Sequence, residues 1–169
     1  AGFITYSEGV NDDANKMLWS ALGWDPDADI HSVLREYARY FIGPEYEYSF
    51  ADQLFALEQN WQGPLAANVG VDVTVQQAKA MERASSPQTR LNWRFQQMLY
   101  RAYFDAYVRE RLIFETELEN RAMDTLRRAK DIGSLRAMDV AEEILNRSTM
   151  VRPAPDLYER ISSLAEALY

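Results

Sequence analysis

The chain has 169 residues, 47% of them hydrophobic and 26% charged, with a formal net charge of -8, no cysteine and one histidine. That composition suits one folded unit with a real core, and it excludes intrinsic disorder, a disulfide framework, a thiolate metal site and a two-histidine metal site. The acidity lies in residues 1–85, with five Lys/Arg against 13 Asp/Glu, whereas residues 86–169 hold 13 of each. With no basic stripe to neutralise phosphates, nucleic-acid binding is not expected. No apolar run approaches the roughly 20 residues that cross a bilayer, so no membrane association is expected either. His31, at the first turn of a predicted helix, is expected to be exposed, and no metal or cofactor is called for.

Residues 2–7 are short, apolar and rich in β-branched and aromatic side chains, which predicts one strand running into the polar loop Glu8-Gly9-Val10-Asn11-Asp12-Asp13. Asn11 or Asp12 is placed to cap a helix that runs to about Leu22 and closes at Gly23. A lone strand cannot satisfy its own backbone groups, so this βα unit reads as part of something larger. After the turn Trp24-Asp25-Pro26-Asp27, Asp29 caps a helix with Ile30, Val33, Leu34, Tyr37, Ala38 and Phe41 on one face, ended by Gly43-Pro44. Ser49 with Asp52 starts another, carrying Phe50, Leu54, Leu57 and Trp61 and stopped by Gly63-Pro64. Residues 64–72 read as loop and residues 73–84 as a shorter helix.

Ser86-Pro87 is a cap followed by proline at the first helical position, and neither Gly nor Pro recurs until Gly133. One helix through all of it would span roughly 65 Å, which calls for a bend or an unsupported end. Ser134 opens a further helix with Leu135, Met138, Ala141, Ile144 and Leu145 inward. Asp156 with Glu159 forms a capping box ahead of Leu157, Ile161, Leu164 and Leu168. The expected fold is mainly α, a multi-helix bundle with one long helix, preceded by a single strand and loop.

The residues Gly2-Phe3-Ile4-Thr5-Tyr6-Ser7-Glu8-Gly9, then Asn11-Asp12-Asp13, Leu22-Gly23-Trp24-Asp25-Pro26-Asp27, and Leu34 through Pro44 in that order resemble the end of certain glycosidase barrels. The resemblance is to the last βα unit and following helical region of the α-glucuronidase and hexosaminidase-like glycoside hydrolases. It divides the chain into residues 1–28, the end of a TIM barrel, and residues 29–169, a C-terminal helical domain. It implies a carbohydrate-processing parent protein, secreted or periplasmic, whose catalytic carboxylates come from preceding strands, so this segment is not itself expected to be catalytic.

In a TIM barrel the loop after a strand lies at the substrate face, which would place Tyr6, Ser7, Glu8, Asn11, Asp12 and Asp13 near a sugar. Glycoside hydrolysis uses two carboxyl groups about 5 to 9.5 Å apart, and Glu8 with Asp12 or Asp13 offers one of them. The plainer role for Asp12 is a helix cap and for Asp13 a favourable partner of the helix dipole. Tyr6, Trp19, Trp24 and Trp61 are candidate sugar platforms, although Trp24 and Trp61 are expected in the core. Along residues 93–109 aromatics alternate with Arg. Burial among neighbouring helices is the first reading, with Asp105 then needing Arg or Tyr partners, Arg101 and Arg109 being four residues away on either side. In the second reading Tyr103, Tyr107 or Arg101 reaches a sugar. Against the glycosidase reading stands an independent helical module for protein interaction or homo-oligomerisation with no catalytic role.

Overall fold

The computed structural model describes residues 12–169 together with Ile4 and Tyr6. Among the described residues there are nine α-helices and no strand: α1 (Asp13–Trp24), α2 (Ile30–Phe41), α3 (Glu47–Gln59), α4 (Gly70–Ala84), α5 (Pro87–Arg90), α6 (Trp93–Arg127), α7 (Ala129–Ile132), α8 (Ser134–Met150) and α9 (Pro155–Leu168). Single 3-10 turns at Pro44–Tyr46 and Leu65–Ala67 lead into α3 and α4. The mainly helical fold is as expected. The strand predicted over residues 2–7 falls largely outside the described residues, and Ile4 and Tyr6, which are described, stand exposed and outside any regular element.

The long helix α6 organises the molecule. Its 35 residues extend roughly 52 Å, and α4, α8 and α9 all pack along it, while α2 and α3 pair with each other and α3 with α4. The core gathers around its N-terminal half, where Phe95, Met98, Leu99 and Ala102 meet Tyr37 and Ala38 of α2, Phe50 and Leu57 of α3, Val71, Val75 and Ala78 of α4, and Ile161 and Leu164 of α9. Rings run through it in sequence: Phe50 stacks on Phe95 with centroids 6.3 Å apart, Tyr46 lies 5.9 Å from Phe95, and Tyr37 lies 5.0 Å from Phe41.

Several boundaries follow local chemistry. Asp29 caps α2 by accepting from the His31 N–H at 3.1 Å and from the Ser32 hydroxyl at 2.7 Å. Gly43, at φ +152°, makes the turn out of α2 where a side chain would be strained. Ser86 accepts from the Thr89 N–H, as a cap before Pro87 should. The helix it starts is only one turn, however, because Asn92 intervenes. Its side chain caps α6 through the Arg94 N–H at 3.0 Å and donates to the Phe41 carbonyl at 2.6 Å, satisfying the end of α2 and the start of α6 together. The expected single helix is therefore broken at Leu91-Asn92.

Other expectations are corrected. α1 continues through Gly23 to Trp24, and Asp12, its N-cap residue, makes no side-chain capping hydrogen bond. α3 begins at Glu47, not at Ser49, since the turn after Pro44 already sets helical geometry; α4 begins at Gly70, three residues early, where Asn68 accepts from the Gly70 N–H at 3.0 Å. α9 starts at Pro155 behind Ala154 in the left-handed conformation (φ 43°), with no capping box from Asp156 and Glu159. In α8 the inward stripe is Ala137 and Ala141, whereas Leu135 and Met138 face outward, because small residues allow α8 to lie close against α6. Trp24 is 93% exposed and Trp61 49% exposed, so neither is a core residue. His31 is exposed, its ring 4.2 Å from that of Phe55.

Phe95 has no exposed surface and touches rings on two sides. Phe95→Ala is expected to cost about 3–5 kcal/mol by urea denaturation, against less than about 0.5 kcal/mol for Trp24→Ala. A small effect at Phe95 would remove it from the core.

Candidate functional site

Four polar clusters tie the helices together, and α6 contributes to all of them. At its first turn Arg94 meets α1: its Nε donates to Asp13 Oδ2 at 2.6 Å, and the Tyr37 hydroxyl donates to the same oxygen at 2.7 Å. The guanidinium lies over Phe41 at 4.0 Å and over Trp93 at 4.2 Å. Burial pushes the Asp13 carboxyl upward, but the hydrogen bonds from Arg94 and Tyr37 outweigh it and hold the group below its ordinary value of 3.8. For Tyr37, burial and the adjacent Asp13 carboxylate act in the same direction and push ionisation of the phenol far above its usual range.

Three turns further along, Asp105 is wholly buried. Its Oδ1 accepts from Trp61 Nε1 at 2.9 Å and from Arg101 Nε at 2.8 Å, and its Oδ2 accepts from Asn60 Nδ2 at 2.9 Å. Arg101 is the expected basic partner. Asn60 and Trp61 come from the far end of α3 and were not legible as partners, since nothing in the local spacing links positions 44 and 45 residues apart. The pair expected between Asp105 and Arg109 does not form; Arg109 turns to Asp72 of α4, donating from Nη1 to its two oxygens at 3.1 and 3.3 Å.

On the face toward α4 and α9, the Tyr103 hydroxyl donates to Glu82 Oε2 at 2.6 Å, and Arg160 of α9 donates to the other oxygen of Glu82. Burial, followed by the bond to Glu82, drives the Tyr103 phenol well above its normal range. The Tyr–carboxylate–Arg arrangement thus occurs twice, once holding α1 to α2 and α6 and once holding α4 to α6 and α9. Tyr107, half-buried, packs its ring 5.7 Å from Tyr158, over which the Arg152 guanidinium lies at 3.7 Å.

The residues predicted to meet a sugar are therefore distributed. Tyr6 is exposed, Asp12 and Asp13 begin α1, and Glu8 and Asn11 lie outside the described residues. Tyr103 and Tyr107 stand nine and thirteen residues along α6 from Arg94, the partner of Asp13, which is roughly 14 and 20 Å of helix. Tyr103 is buried and its hydroxyl is engaged inside the protein. Asp13 and Tyr103 each belong to an interhelical network, Asp13 positioning α1 and Tyr103 joining α6 to α4 and α9. Among the described residues no group of three or more His, Asp or Glu is arranged to hold a metal ion, and no helix is long and apolar enough to cross a membrane.

Compared with known families, curated proteins and solved structures, the chain matches none.

Because the folded Asp13 carboxyl ionises below the unfolded one, its contribution is complete above the unfolded value and is lost as pH falls through the folded value. Urea midpoints followed from about pH 6 to about pH 2 should show an acid loss in the native chain that Asp13→Asn lacks in part. Parallel acid limbs for the two proteins would show that Asp13 is not stabilised by Arg94 and Tyr37.

Proposed function

We propose that this chain is the helical region of a glycoside hydrolase-like, carbohydrate-processing protein, bracing a preceding barrel and holding the segment before α1 at the edge of a sugar site without supplying the catalytic carboxylates. The observation that carries the reading is α1. This helix has no buried residue, and Met17, Trp19, Leu22 and Trp24 are exposed along it, although the remaining helical body encloses its own core. A helix that leaves so much apolar surface uncovered while an internal ion pair fixes its position is built to be covered by another element. The sequence resemblance places the last strand of a barrel immediately before it.

Bracing divides the work between the two parts. The Asp13–Arg94–Tyr37 network sets the angle of α1 on the body, and the exposed apolar side chains of α1, Met17 with Trp24 on one side and Trp19 with Leu22 on another, then receive the barrel. Tyr6, Glu8, Asn11 and Asp12, which precede α1 in sequence, are the residues that the resemblance to a barrel end assigns to substrate contact. An independent interaction module is the alternative; it would bury the apolar side chains of α1 within its own fold, and Met17, Trp19, Leu22 and Trp24 are left exposed.

The test uses Trp24→Asp and Leu22→Asp. In a gene product carrying the residues before this chain, both should lower the melting temperature by several degrees. In the 169-residue chain alone they should change it little. Equal effects in the two contexts would contradict bracing. Calorimetric titration of the longer product with uronic-acid and N-acetylhexosamine oligosaccharides, repeated with Tyr6→Ala, addresses the sugar contact: saturable binding weakened by the substitution supports it, and unchanged binding removes Tyr6 from the site.

A further inference from the structure

The C-terminal half of α6 leaves the core and runs beside α8, whose main packing partners among the described residues are α6 and the one-turn α7. The two helices form a projecting arm joined at its tip by α7 and Gly133, the latter at φ +88°. One side of the arm carries a groove of about 470 Å³. Its floor is Leu118 and Ala122, both buried, and its rim is Met123, Leu126 and Leu145, each more than a third exposed. Met138, 60% exposed, lies two helical turns from Leu145 on the same side of α8 and extends the apolar surface toward the tip.

Charge is divided along this arm. Glu115 and Glu119 line the groove at the end nearest the core, whereas at the tip Arg127, Arg128 and Lys130 outnumber Asp124 and Asp131. We infer that the groove is the docking surface for a second copy of this chain, with the two arms packed antiparallel about a twofold axis beside Ala122 and Met123. In that register Glu115 of one copy is level with Lys130 of the other, and Glu119 is within a turn of Arg127, while Met123 and Leu126 of each copy enter the groove of its partner. A parallel arrangement would set acidic end against acidic end and basic against basic. The exposed pairs that Arg127 makes with Asp124 and Arg111 with Glu115 are of the weak surface kind and can exchange for contacts across the axis. The result is a four-helix bundle, the ordinary way for a two-helix arm to bury an apolar side. The inference concerns α6 and α8 and is independent of the bracing role given to α1.

Sedimentation equilibrium of the 169-residue chain tests it. At micromolar concentration the mass should be that of two chains, and rising salt should weaken the association. Leu126→Glu and Met123→Glu, both at exposed positions, should each weaken it at least about tenfold while leaving the helical circular dichroism unchanged. The charge variants Glu115→Lys with Glu119→Lys and Arg127→Glu with Lys130→Glu should each be monomeric alone and should pair when mixed. A native chain that stays monomeric, or a dimer whose mass is indifferent to Leu126→Glu, overturns the inference; so does a failure of the two charge variants to pair when mixed.

Discussion

A carboxylate without solvent contact in the middle of the longest helix sets the terms for the rest of the molecule. A carboxylate buried there needs hydrogen bonds in place of the water it has lost, since an unpartnered buried polar group costs several kcal/mol. Arg101, one turn earlier on α6, supplies the countercharge, and Asn60 and Trp61 supply the remaining donors. Those two residues sit where α3 ends, so satisfying Asp105 fixes the end of α3 against α6. The adjoining loop is fixed in turn: Asn68 donates to the carbonyls of Gln59 and Asn60 at 3.1 Å and accepts from the Gly70 N–H that begins α4. Gln53 then ties α3 to α4 by donating to the Thr74 carbonyl at 3.0 Å. One buried charge thereby orders three helices and the loop between them.

The remaining polar contacts of α6 repeat the strategy with less burial. Arg94 and Tyr37 hold α1 through Asp13; Tyr103 and Arg160 hold α4 and α9 through Glu82; Arg109 holds Asp72. Apolar packing between Phe50, Phe95 and their neighbours provides the driving force, which is not directional, and these bonds choose the rotation of each helix on α6. Beyond Arg109 the helix loses this support and has α8 as its companion. The two surfaces left unfinished, the exposed apolar residues of α1 and the groove of the arm, lie at the parts of the molecule that the central network reaches least.

Legibility in the sequence followed the range of the interactions. The helix α2 announced itself through its apolar spacing, the Asp29 cap and the Gly43-Pro44 stop, all decided within a few residues. The α9 stripe of Leu157, Ile161 and Leu164 was equally local. The break before α6 rested on one Asn, a residue as common in loops as at caps, and Asn92 gained its second role only because the end of α2 comes to lie beside it. Trp61 looked like core because indoles usually are; its N–H was instead the donor that Asp105 needed, leaving part of the ring in solvent. In α8 the large residues suggested the buried face, but close approach to α6 selected Ala137 and Ala141. For the candidate site, periodicity could place Tyr103 and Tyr107 on α6 but could not reveal that Glu82 already engages Tyr103.

A double-mutant cycle between Trp61→Phe and Asp105→Ala, measured by chemical denaturation, tests most directly whether the buried carboxylate holds α3 to α6. Trp61→Phe removes the indole N–H, and Asp105→Ala removes both acceptor oxygens. The account predicts a coupling of about 1–3 kcal/mol between the two positions, as expected of groups in one buried network. Additive effects within about 0.5 kcal/mol would contradict it, showing that Trp61 and Asp105 contribute to stability independently of each other.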